Sequence, residues 1–124
     1  MEPTLVMQTT TVLLAISAVG GLAMAGIRFG GKPHPPSWLA MLHGFLSAAA
    51  LTLLLYAWFT VGLPTLAKVA VVLFVIAASG GLLLNLKYHL NAVPLPKGII
   101  VVHAGIAIVG FLLLLSATWT ASHG

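Results

Sequence analysis

The chain has 124 residues, 60% of them hydrophobic and only 5% charged, and its mean hydropathy is +1.16. One acidic residue, Glu2, stands against five basic ones, and there is no cysteine. These counts exclude paired-carboxylate acid–base chemistry, a proton-coupled transporter built on a membrane-embedded carboxylate, disulfides, iron–sulfur clusters and any cysteine-attached cofactor. The net charge of +4 gives no sign of a nucleic-acid partner.

Four apolar stretches are predicted to cross a lipid bilayer, at about 9–29, 37–60, 65–88 and 97–120. Each reaches the roughly 20 residues that the hydrocarbon core requires. Hydrocarbon offers backbone groups no water, so each must be helical. The first span carries Gly20-Gly21 and ends at Arg28. The leading Met1-Glu2-Pro3-Thr4 lacks a basic segment, so this span is expected to be retained rather than cleaved as a signal peptide. A loop with Lys32 and Pro33-His34-Pro35-Pro36 follows, its last proline suited to opening the second span. That span holds Leu42-His43-Gly44 and closes with Tyr56, Trp58 and Phe59. After a short loop at 61–64, the third span carries Lys68 near its start, Gly80-Gly81 further on, and Lys87, Tyr88 and His89 at its end. The fourth runs from Lys97 through Val102-His103-Ala104 to Trp119. Arg28, Lys32, Lys87 and Lys97 flank loops one and three, so the positive-inside rule places those loops in the cytoplasm and both termini outside. A bacterial inner membrane is the expected location.

The halves 1–60 and 61–120 repeat at an offset of sixty positions: Gly20-Gly21-Leu22 returns as Gly80-Gly81-Leu82, Pro36 as Pro96, His43 as His103, and Leu53-Leu54-Leu55 as Leu113-Leu114-Leu115. An even number of spans per repeat gives both halves the same orientation, related by a pseudo-two-fold axis along the membrane normal. The expected fold is therefore all-α: a single integral membrane domain over 1–124, a four-helix bundle of two tandem helical hairpins in parallel orientation.

The axis puts equivalent residues at one depth on opposite sides of the centre. His43 and His103 each lie six residues into their spans, roughly 9 Å at 1.5 Å per residue. The glycine pairs fall at a similar level. Two imidazoles facing across a central gap are a pair of axial ligands for a flat iron-bearing cofactor, and Gly20, Gly21, Gly80 and Gly81 are expected to leave room for its edge, because glycine lets backbone approach closely. Arg28, Lys87 and Tyr88 lie where the cofactor's carboxylates would emerge. His34 and His89 read as exposed loop histidines, with a second reading as carboxylate partners or as a proton donor at a quinone pocket. Met24 and Met41 read as packing residues, and His123 as a solvated residue of the outer tail.

On Leu42-His43-Gly44, Val102-His103-Ala104, Gly20-Gly21 and Gly80-Gly81, the chain resembles the transmembrane b-type cytochromes, the four-helix haem-binding bundles of the cytochrome b and cytochrome b-561 type. The resemblance implies haem b held non-covalently by His43 and His103, with single electrons relayed to or from quinone or a partner redox subunit. Those families usually carry two histidines on each ligating helix, whereas here each has one in its apolar span, which implies one haem rather than two. Other readings of the same residues are a different metal or a chlorophyll-type pigment, an interhelical hydrogen-bonding pair in a small transporter or channel, and a cofactor-free structural subunit of a larger membrane complex.

Overall fold

The computed structural model describes residues 2–124; Met1 lies outside the described residues. Four helices follow one another: α1 (Pro3–Phe29), α2 (Ser37–Phe59), α3 (Thr65–Leu83) and α4 (Lys97–His123). A π-helical segment, Leu84–His89, continues α3 without a break. Among the described residues there is no strand. All four helices are long and apolar enough to cross a membrane, α3 together with its π segment. The protein is an integral membrane four-helix bundle.

Prolines open every helix, at N1 in α1 and at the N-cap of the other three. Their fixed φ suits a helix start, and the missing N–H loses nothing there, because the first N–H groups have no intrahelical partner. The helices extend past the apolar spans: α1 begins at Pro3 and α4 runs to His123. His123 is exposed, donates from Nδ1 to the Trp119 carbonyl at 3.0 Å, and stacks on the Trp119 ring at 3.9 Å between centroids.

Helix α1 packs along α2 and α3 along α4, and each hairpin is more extensively packed within itself than against the other. The hairpins meet through α1 against α4 and, less extensively, α2 against α3, which leaves α2 and α4 on a diagonal of the bundle. The contiguous core between hairpins (Val6, Met7, Leu54, Ala57, Ala67, Ala70, Val71, Phe74, Leu114 and Ala117 among others) lies in the half nearest the termini. There the α1/α4 seam also carries hydrogen bonds, Gln8 Nε2 to Ser122 Oγ at 3.0 Å and Thr11 Oγ1 to Thr118 Oγ1 at 3.0 Å.

At the opposite end, loops 30–36 and 90–96 are tied together. The Leu95 N–H donates to the Pro33 carbonyl at 3.0 Å, and Arg28 Nε donates to the Leu95 carbonyl at 2.9 Å. Loop turns need left-handed backbone at Gly31 (φ 113°) and at Ala92 (φ 54°). The π segment departs from the repeat. Its bonds reach five residues back, as from the Leu90 N–H to the Asn85 carbonyl at 2.9 Å, so each turn holds an extra residue and the phase of the helix rotates. His89 is turned inward by that rotation and buried, whereas Phe29, its counterpart in α1, is exposed. Asn91 Nδ2 closes the segment by donating to the carbonyls of Leu86 and Lys87.

Candidate metal centre

His43 and His103 approach each other across the α2–α4 diagonal. Their ring centroids are 6.3 Å apart and their planes cross at 78°. Both residues are half-buried. Each ring is oriented by its own hairpin. His43 Nδ1 lies 2.7 Å from the Ser17 carbonyl of α1, and His103 Nδ1 lies 2.7 Å from the Ala77 carbonyl of α3, two acceptors related by the same sixty-residue offset. A carbonyl oxygen can only accept, so Nδ1 carries a proton in both rings, and in the neutral form of each ring Nε2 holds a lone pair. Among the described residues, neither Nε2 has a hydrogen-bond partner. A carbonyl that fixes one ring nitrogen while the other stays free is the usual outer-shell arrangement of a metal-ligating histidine.

The glycines act one level closer to the histidines than the sequence suggests. A Cβ added to Gly21 would lie 2.9 Å from His43 Cε1, and one added to Gly81 would lie 3.1 Å from His103 Cε1. The imidazole ring lies against the space that Gly21 and Gly81 leave. Gly20 and Gly80 stand beside the histidine Cβ atoms, at 3.9 and 3.7 Å from an added Cβ, which is ordinary contact. Residue spacing explains the register: Ser17 and Gly21, and likewise Ala77 and Gly81, are four apart and share a helix face. The residue that binds Nδ1 and the residue that admits the ring therefore come as a unit.

One half carries polar groups that the other lacks. Ser17 Oγ lies 3.0 Å from His43 Nδ1, donates to the His43 carbonyl at 3.1 Å, and is 2.5 Å from Ser47 Oγ. The sixty-residue counterparts of Ser17 and Ser47 are Ala77 and Ala107. In sequence these serines are two among many polar residues of the spans. The signal that singles them out is spacing, with Ser17 four residues before Gly21 and Ser47 four after His43.

The basic residues at the two-loop end divide. Arg28 donates from Nε to Leu95 and from Nη1 to the Lys32 carbonyl at 3.4 Å, so it clamps the loops. Lys87 Nζ lies 5.6 Å from the centroid of the Tyr88 ring, and Lys97 Nζ 5.6 Å from that of Phe29. Lys87 is exposed and Tyr88 half-buried. His89 is not an exposed loop residue: only 8% of it is accessible, its ring is 5.2 Å from that of His34, and its Nε2 is 3.2 Å from Ser37 Oγ. Met24 is half-buried and Met41 exposed.

Among the described residues no group of three or more His, Cys, Asp or Glu side chains is placed to hold a metal ion. A metal held between His43 and His103 would therefore have only those two side chains of these types as ligands. Fold and site together define the class: a membrane-spanning helical bundle with one pair of opposed, pre-oriented imidazoles. Comparison with protein-family models, with curated proteins and with solved structures finds no match.

Proposed function

We propose that the chain is a membrane b-type cytochrome with one haem b between His43 and His103, relaying single electrons to or from quinone or a partner redox protein. One observation carries the reading: two imidazoles on diagonal helices, both protonated at Nδ1 by contact with a backbone carbonyl, with both Nε2 atoms unpartnered and the ring centroids 6.3 Å apart. A metal–imidazole bond of about 2 Å, added to about 1 Å from nitrogen to ring centre, separates two rings on opposite sides of one metal by about 6 Å. The donor set would fit too, since the imidazole of histidine is an established ligand of haem iron. The crossing of the planes is no obstacle, because an imidazole can turn about its bond to a metal without lengthening it.

A haem held by His43 and His103 would supply reversible one-electron exchange. The protein's own residues have distinct tasks. Ser17 and Ala77 hold the Nδ1 protons, and Gly21 and Gly81 admit the rings. Lys87 and Tyr88 offer a cation and a hydroxyl at the end where carboxylates would emerge, and Arg28 retains N–H groups beyond those it donates to the loops. The positive-inside rule puts the two-loop end in the cytoplasm, in the proposed setting of a bacterial inner membrane.

The test is a visible spectrum of purified protein from haem-replete cells. The dithionite-reduced wild type is expected to show a Soret band with sharp α and β bands. His43→Ala and His103→Ala should each abolish that low-spin spectrum. A colourless, folded wild type overturns the reading, and retention of the wild-type spectrum by both variants overturns the ligand assignment.

A further inference from the structure

We infer that Ser17 and Ser47 make the two imidazoles inequivalent: they render His43 the stronger electron donor, so that the potential of the centre is set from the α1/α2 hairpin. This rests on the haem reading above. The two halves share the carbonyl contact to Nδ1 at the same 2.7 Å, so the repeat by itself would give two like ligands. The difference is the hydroxyl pair. Ser17 Oγ has one proton, which we place on the His43 carbonyl at 3.1 Å because that oxygen can only accept. With the proton so placed, its lone pairs face His43 Nδ1 at 3.0 Å and Ser47 Oγ at 2.5 Å, and the Ser47 hydroxyl is the donor in the second contact. The His43 Nδ1–H thus has two acceptors on one residue, the Ser17 carbonyl and the Ser17 hydroxyl, whereas the His103 Nδ1–H has one. Ser47 holds the Ser17 hydroxyl in place by filling its other lone pair.

Acceptors at Nδ1 pull its proton outward and leave more electron density at Nε2. This raises the basicity of the ligating nitrogen. A more basic axial nitrogen favours the more positively charged, oxidised metal, so outer-shell hydrogen bonding is one of the protein's levers on potential. The serines touch neither a substrate nor the proposed metal. They are positioning residues that act through His43.

The experiment is a potentiometric titration of the haem-loaded protein, followed in the α band. Ser17→Ala should raise the midpoint potential while the bis-imidazole spectrum persists. Ser47→Ala should raise it less, since Ser47 acts only through Ser17. The reverse graft, Ala77→Ser with Ala107→Ser, supplies His103 with the same pair and should lower the potential below wild type. A Ser17→Ala protein that keeps the wild-type potential but melts earlier would reduce the serines to packing and overturn the inference. An unchanged potential in the graft, with a wild-type spectrum, would overturn it equally. A wild type without haem fails at the earlier step, and its lack of colour separates that failure from this one.

Discussion

At the scale of single residues, Gly21 is the most constrained position. A methyl group there meets the His43 ring at 2.9 Å, and the ring cannot retreat freely because Nδ1 is bonded to the Ser17 carbonyl. Gly21→Ala should therefore destabilise the protein by about 1–3 kcal/mol, the usual range for overpacking. It should also perturb any His43-dependent spectrum, whereas Gly20→Ala, with 3.9 Å of room, should do neither; denaturant unfolding in detergent, read beside the visible spectrum, checks the pair. The sequence placed histidines and glycine pairs in one layer, because histidine is rare in apolar spans and both the histidines and the glycine pairs recur at the sixty-residue offset. It did not tell which group fills the space the glycines leave. That depends on a rotamer and on the separation of two helices, neither of which periodicity encodes. Ser17 and Ser47 stayed hidden because a hydroxyl in a membrane helix usually bonds to its own backbone, as Thr10, Thr52 and Ser79 do here.

At the scale of elements, the four spans were legible because the bilayer dictates length and apolarity together. The π segment was not, since bonds reaching five residues back leave no compositional mark. Its main effect, the burial of His89 beside His34 and Ser37, was hidden with it. The loop after it stores a small strain: Ala92 sits at φ 54°, where a side chain costs roughly 1 kcal/mol. Ala92→Gly should recover about that much and raise the melting temperature. On the α1/α4 seam, Thr118→Val removes the hydrogen bond to Thr11 and should cost about 0.6 kcal/mol, the mean for such bonds inside membranes, measured as the shift in unfolding midpoint.

At the scale of the whole molecule, the absence of cysteine makes sidedness directly measurable. With Val61→Cys and Val93→Cys introduced one at a time, both at exposed loop positions, a membrane-impermeant maleimide applied to intact cells should label the first and spare the second. The opposite pattern would invert the proposed orientation. The two hairpins also have unequal bonds to each other along their length, since their shared core is gathered toward the termini. Every group that orients an imidazole lies on the same hairpin as that imidazole: Ser17, Gly21 and Ser47 for His43, and Ala77 and Gly81 for His103. Each hairpin thus carries its own half-socket, and the loop at 61–64 joins the two while packing Leu63 into their shared core. Severed at that loop and co-produced as two peptides, the halves should find one another in the bilayer and bring His43 and His103 together again.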